Sequence, residues 1–95
     1  MSVRLIVQHH VRDFDQWKPE FDDHEKVRRQ HGGQGHELYR NVDDPNALVV
    51  VNTFETVEGA RAFMTDPSLK EVMDRAGVDS EPNITLCEQA EAITY

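Results

Sequence analysis

The sequence lacks a second cysteine, so Cys87 has no partner within the chain for a disulfide bond. It also lacks any apolar run that approaches the ~20 residues needed to cross a bilayer. The first residues enter an alternating strand pattern without the basic and apolar blocks of a signal peptide. A chain with a lone thiol and no targeting or membrane segment is expected in the reducing cytoplasm, with no membrane as partner.

Positive charge is also scarce. The 10 Lys and Arg residues stand against 18 Asp and Glu residues, and the formal net charge is −8. Nucleic acid and anionic membrane surfaces repel an acidic chain, so we expect neither as a partner. A local positive patch around Arg28 and Arg29 is left open as an alternative.

The common motifs of metal, nucleotide and serine chemistry are missing. The chain has 5 histidines, but none in an H-x-x-x-H or H-E-x-x-H spacing. His9 and His10 are neighbours on a predicted strand and point to opposite faces, so they cannot share one ion. With no Gly-rich phosphate loop and no Ser–His–Asp order, we expect neither a metal site nor a nucleotide site.

What the sequence does contain is one unit twice, strand–helix–strand, joined by the turn Asp43–Asn46. The predicted elements are, in order, strand Val3–Val11, helix Asp15–His31, strand Glu37–Val42, strand Leu48–Phe54, helical stretch Val57–Ala76 and strand Ile84–Gln89. This order predicts one domain over residues 1–95 of class α+β. The fold is the ferredoxin-like split βαβ (βαββαβ) with a four-stranded antiparallel sheet.

Capping residues set the predicted helix boundaries. Asp13 or Asp15 accepts the free amides at the start of the first helix, and Gly32 supplies the left-handed backbone at its end. Thr56 caps the second helical stretch and Gly77 ends it. The sequence Asp66-Pro67-Ser68 interrupts that stretch and starts a further helical turn at Pro67 or Ser68.

Side-chain parity predicts which residues face the helices. Steps of three and four residues put Trp17, His24 and either Val27 or Arg28 on the sheet-facing stripe of the first helix. Alternation puts His9 on the apolar face of the first strand. A four-residue loop at Asp43–Asn46 would pair Leu38 with Val51 and Arg40 with Val49. Tyr39, Leu48, Val50 and Asn52 would then share the opposite face.

The strand Leu48–Phe54 is apolar on both faces, as in strands that are covered on two sides. One layer of helices covers only one face, and Ile6 adds to the apolar groups of the other. An exposed patch of that kind is unfavourable on a monomer. A second copy packed sheet to sheet about a twofold axis would cover it, so we expect a homodimer that forms a dimeric α/β barrel.

Several segments resemble the dimeric α/β-barrel superfamily: Asp13–Lys18 with Phe21-Asp22, the pair Tyr39-Arg40, and the entry Phe54–Glu58 to the second helix. Within it, the chain is most similar to the antibiotic-biosynthesis-monooxygenase-like group, which includes small chains described as polyketide cyclases. The resemblance covers nearly the whole chain. It implies a ligand pocket inside each subunit, between the sheet and the helices.

The superfamily includes cofactor-free monooxygenases, aromatic polyketide cyclases, haem-degrading oxygenases and lactone isomerases. Against the haem-degrading members, His9 corresponds to an Asn near the ligand, Phe63 to a pocket Trp and Met73 to the iron-ligating His. The resemblance thus implies that Phe63 and Met73 line the pocket. It also implies that two residues needed for haem chemistry are replaced, and we expect no cofactor.

His9 and His24 are the candidate catalytic residues. A neutral imidazole has a pKa that suits proton abstraction near neutral pH, and both residues lie on inward faces. His36 is a third histidine that could approach the same cavity. The alternative is that these histidines are core residues hydrogen-bonded to backbone, without a catalytic role.

Trp17, Tyr39, Asn52 and Arg40 are the candidate substrate-binding residues. Trp offers a stacking face, Tyr and Asn can orient a forming enolate, and Arg can bind a carboxylate or an oxyanion. The alternative is that Trp17 is a core aromatic, that Tyr39 and Asn52 pair across strands, and that Arg40 pairs with a nearby acid.

Two function hypotheses follow. The first is a cofactor-independent monooxygenase or cyclase that acts on a small aromatic or polyketide-like molecule, with His9 or His24 as the base. The second is a non-catalytic ligand-binding or stress-related dimeric α/β-barrel protein. A third possibility is haem binding without the usual iron ligand. The sequence leaves open whether the chain is an enzyme at all.

Overall fold

The computed structural model describes residues 2–95. Its elements are β1 (Val3–His10), α1 (Phe14–Asp23), α2 (Glu25–Gln30), β2 (Gly33–Arg40), β3 (Ala47–Phe54), α3 (Val57–Met64), α4 (Pro67–Ala76) and β4 (Asn83–Glu88). The strands form one four-stranded sheet in the order β2-β3-β1-β4. All neighbouring strands are antiparallel. The predicted ferredoxin-like fold is confirmed.

Local capping chemistry explains most helix boundaries. Asp13 accepts a hydrogen bond from the Asp15 amide at the start of α1, and Thr56 accepts one from the Gly59 amide at the start of α3. Pro67 is the first residue of α4, where the missing N–H costs least. Gly77 ends α4 with φ of 85°, in the left-handed region that glycine adopts without strain.

The first helical stretch is not continuous, and the prediction of one helix over Asp15–His31 is wrong. His24 separates α1 from α2 with φ of −82° and ψ of −1°. A ψ near zero instead of about −42° turns the chain between the two helices. After this turn Arg28 is buried and Val27 is half-buried, which decides the alternative between them.

The predicted pairing of β2 with β3 is wrong by one residue. Leu38 pairs with Val50 and not with Val51, and β2 runs Gly33–Arg40 instead of Glu37–Val42. Asn41 causes the shift, because its Oδ1 accepts the amides of Asp43 and Asp44 at 2.8 and 3.0 Å. The loop therefore includes Val42. A shift of one residue exchanges the two faces of a strand.

The helices cover one face of the sheet. The fully buried side chains of this core include Val3, Leu5, Leu48 and Phe54 from the strands. The opposite face carries Ile6, Val49, Val51 and Cys87, which are half-buried. None of the helices in residues 2–95 has the length and apolar character required to span a membrane.

Candidate functional site

A cavity of about 50 Å³ lies between the sheet and the helices. Among its lining residues are these predicted site residues: His9, Trp17, His24, Asn52, Phe63 and Met73. Phe21 and Arg28 also line it, and neither was predicted as a site residue. Trp17 and Phe21 form an aromatic wall, with ring centroids 4.7 Å apart and planes inclined by 18°. The volume holds roughly three to five water molecules.

His9 lies near the end of β1, opposite Leu48 on β3. Its side chain is buried, and neither ring nitrogen has a hydrogen-bond partner among residues 2–95. Its ring centroid lies 5.8 Å from that of Trp17. Burial lowers the pKa of His9, because the charged imidazolium is disfavoured away from water. The ring is therefore neutral near pH 7, with one nitrogen available as a proton acceptor.

His24 is part of a hydrogen-bond chain that leads out of the cavity. Its Nε2 lies 2.8 Å from Ser68 Oγ, and Ser68 Oγ donates to Asp66 Oδ1 at 2.6 Å. Asp66 Oδ2 lies 2.9 Å from His31 Nε2. Since the single hydroxyl hydrogen of Ser68 goes to Asp66, Ser68 must accept from His24. The network thus assigns the proton of neutral His24 to Nε2 and leaves Nδ1 as an acceptor.

Arg28 brings a positive charge to the cavity wall. Its side chain is buried, and Nη1 donates to the Phe21 carbonyl at 2.9 Å. Its guanidinium carbon lies 4.0 Å above the centre of the Phe21 ring. Nη2 is buried without an acceptor among the described residues. The helical spacing of the sequence indicates this position for Arg28, because it lies four residues after His24 and so on the same helix face.

Asn52 lies on β3, opposite Leu5. The residue is 3% exposed, and Nδ2 donates to the Leu5 carbonyl at 3.3 Å. Oδ1 is buried and accepts no hydrogen bond from residues 2–95. A buried amide oxygen without a donor is costly, so the position suits a bound hydroxyl or water.

Tyr39 and Arg40 do not line this cavity. Because of the register shift, Tyr39 faces away from the helices. The residue is 52% exposed, and its hydroxyl donates to the Glu37 carboxylate at 3.0 Å. Arg40 lies 3.9 Å above the Phe14 ring and donates through Nε to the Pro45 carbonyl at 2.9 Å. Both contribute instead to a surface depression at the loop between β2 and β3.

His36, the third histidine expected near the cavity, does not line it. His36 lies on β2 and contacts Phe21 edge to face at 4.8 Å, outside the lining of the cavity. It lines a second cavity of about 60 Å³ near the start of β2. In the part of the chain that the structure describes, no three His, Cys, Asp or Glu residues are grouped as metal ligands.

Neither a family model nor a curated protein matches the sequence. Solved structures do match. One is a protein from Bordetella bronchiseptica provisionally named an antibiotic biosynthesis monooxygenase, at a TM-score of 0.77 and 14% identity over 95% of this chain and 98% of that one. Another is a variant of SnoaB, a cofactor-independent oxygenase from Streptomyces nogalater. Its TM-score is 0.77 and its sequence identity 15%, over 99% of this chain and 98% of that one. A third structure, from Caulobacter crescentus, matches with a TM-score of 0.75 and 14% identity, over 95% of this chain and 91% of that one.

The chain has the fold of the antibiotic biosynthesis monooxygenases. This confirms the fold-level resemblance expected from the sequence. Identities of 14 to 15% establish architecture, and the chemistry has to be argued from the side chains of the cavity.

Proposed function

We propose that the chain is a cofactor-independent monooxygenase of a small aromatic or polyketide-like substrate, with His9 as the general base. The observation that carries the proposal is the buried, neutral and unpaired imidazole of His9 beside Trp17 in the cavity. A buried ring without partners is unusual in a purely structural histidine, because its nitrogens normally find hydrogen bonds. His24, with Nδ1 free, is the second candidate base.

In the proposed reaction, His9 takes a proton from a CH₂ group activated by a carbonyl and an aromatic ring. The carbanion gives its electrons to O₂, and the carbon gains a C–O bond. The second hydrogen of the CH₂ group and the proton on His9 leave with the other oxygen atom as water, so the CH₂ group becomes C=O. The substrate supplies all four electrons that reduce O₂, two for the oxygen atom of the new C=O group and two for the oxygen atom that leaves as water. Cyclisation through the same carbanion is the alternative chemistry of this site.

Substrate entry requires the cavity to widen, since about 50 Å³ is too small for an aromatic ring. Phe21, Leu69 and Met73 line the cavity and are only half-buried. These side chains can move outward without breaking a hydrogen bond of the sheet. The fully buried residues below them, such as Val50, form the fixed floor.

The test uses anthrone, a CH₂ acid that becomes anthraquinone, as the probe, with oxygen uptake and quinone absorbance as readouts. His9→Gln should lower turnover by about 10²–10⁴-fold. Activity should rise with pH through a pKa below 6.5, because burial lowers the pKa of His9 and only the neutral ring accepts a proton. The matched control is His10→Gln, the next residue on the same strand, which should keep full activity.

Two results would count against the proposal. Turnover that persists in His9→Gln would remove His9 from the chemistry. Quenching of Trp17 by anthrone without oxygen uptake would instead favour the non-catalytic ligand-binding alternative.

We also propose that the chain forms a homodimer through the face of the sheet that the helices leave uncovered. Ile6 and its strand partner Val51 lie side by side on that face, with Val49 next to them. This apolar group is continuous across two central strands, which supports a sheet-to-sheet interface.

A further inference from the structure

Arg28 is a buried cation that uses only part of its hydrogen-bonding capacity. The residue is 5% exposed, Nη1 donates to the Phe21 carbonyl, and Nη2 has no acceptor among residues 2–95. Leaving a buried charged donor unpaired is among the costlier arrangements in a protein interior. A water molecule or a ligand atom that accepts from Nη2 would complete the arrangement.

Glu25 and Asp22 interact with the charge of Arg28, but neither carboxylate is bonded to it directly. Glu25 binds Arg29 at 2.9 Å, and Asp22 binds Lys18 at 2.7 Å. On the cavity side Arg28 faces His24, and on the β2 side it faces His36. Burial, and after it the charge of Arg28, lowers the pKa of both histidines, so near pH 7 they are neutral and add no positive charge. The cavity wall thus has one net positive charge in a chain whose net charge is −8.

Arg28 lies in the lining of two cavities, where a ligand can contact its charge. Arg28 and Asn52 line both the cavity of about 50 Å³ and the second cavity of about 60 Å³ at the start of β2. These are the two residues that both linings share. The Nη2 donor of Arg28 and the Oδ1 acceptor of Asn52 are both unpaired among the described residues.

We propose that the cavity binds a ligand with an anionic oxygen, a carboxylate or an ionised phenol or enol, which accepts a hydrogen bond from Arg28 Nη2. A neighbouring hydroxyl of the same ligand would donate to Asn52 Oδ1. The inference rests on the proposed function, since it names the charge class of the molecule in that same cavity. Charge-assisted bonds of guanidinium to oxyanions are stronger than neutral ones, which would select the ionised ligand.

The experiment measures binding through the fluorescence of Trp17, the only tryptophan of the chain. Two pairs of probes of matched shape are compared: benzoate with benzamide, and 4-nitrophenol with 4-nitroanisole. The anionic member of at least one pair should bind about 10-fold tighter or more than its neutral partner. The pair that shows this preference tells whether carboxylate or phenolate is the preferred form. If phenolate is preferred, bound 4-nitrophenol should ionise at a lower pH than the free compound.

Arg28→Met should abolish the preference and Arg28→Lys should retain part of it. The matched control is Arg29→Met, because Arg29 is adjacent in sequence, exposed and paired with Glu25. Since Arg28 also holds the Phe21 carbonyl, thermal unfolding is recorded for each variant. A second measurement needs no variant: because Arg28 is buried and salt screens buried pairs only weakly, the wild-type preference should persist at high salt.

Equal affinity for both members of each pair, failure of both anions to bind, or a preference that survives in Arg28→Met would overturn the inference. The outcome is separable from that of the proposed function. Anion preference without oxygen uptake leaves the inference standing and removes the monooxygenase proposal. Oxygen uptake with no charge preference leaves the monooxygenase proposal standing and removes the inference about Arg28.

Discussion

At the scale of single residues, the histidines show how position changes one side chain's chemistry. His9 is buried and unpaired, and burial lowers its pKa. His10, one residue later, lies between Asp79 at 2.7 Å and Asp44 at 3.2 Å, and its hydrogen bond to Asp79 raises its pKa. Because side chains alternate between the two faces along β1, His9 lies in the core as a candidate base and His10 lies at the surface beside Asp79.

Ser68 decides the protonation of His24, and its removal has a defined consequence. Ser68→Ala takes away the acceptor of His24 Nε2–H and a hydroxyl donor to Asp66. We expect a loss of about 1 kcal/mol in the free energy of unfolding. We also expect His24 to change from one tautomer to a mixture, seen in the ¹⁵N chemical shifts of its ring. Ser80→Ala, which removes the acceptor of the His10 amide, should leave those shifts unchanged.

At the scale of the elements, the close approach of α3 to the end of α2 limits what residue 59 can be. A Cβ added at Gly59 would collide with the His31 carbonyl oxygen, closer than any real contact. The carbonyl belongs to backbone that the sheet and the helix both restrain, so it cannot move freely. A glycine in the first turn of α3 is therefore required by packing, against its low helix propensity.

Gly59→Ala should lower the free energy of unfolding by about 1–3 kcal/mol, although alanine is the better helix former. Chemical denaturation measures the change. Gly35→Ala is the control, because a Cβ there meets nothing within 4 Å. That variant should be near neutral or slightly stabilised. A stabilised Gly59→Ala protein would show that α3 can shift away from α2.

At the scale of the whole molecule, the uncovered face of the sheet determines the expected assembly. Ile6→Lys would place an ammonium group in the proposed interface, where burying an unpaired charge costs several kcal/mol. Sedimentation should show wild type at twice the 10.9 kDa chain mass and Ile6→Lys as a monomer. Gln16→Lys, exposed on α1, adds the same charge and should stay dimeric. A wild-type monomer at micromolar concentration would contradict the prediction.

Most of the fold follows from local chemistry and could be predicted from the sequence. Alternation places His9 with the core of β1, and the caps at Asp13, Thr56 and Gly77 lie where their side-chain and backbone preferences require. The inward position of Trp17 follows from helical spacing. These features depend on residues within a few positions of one another, which is why sequence alone determines them.

Tertiary structure decided the rest of the candidate site. Asn41 accepts hydrogen bonds from two amides of its own loop. The pairing of β2 is therefore shifted by one residue, and Tyr39 lies on the opposite face of the sheet from Asn52. The turn at His24 directed Arg28 to the cavity wall, beside residues that are distant in sequence. Strand register and the meeting of separate elements depend on competition among many weak contacts over the whole chain. No local pattern in the sequence records the outcome of that competition.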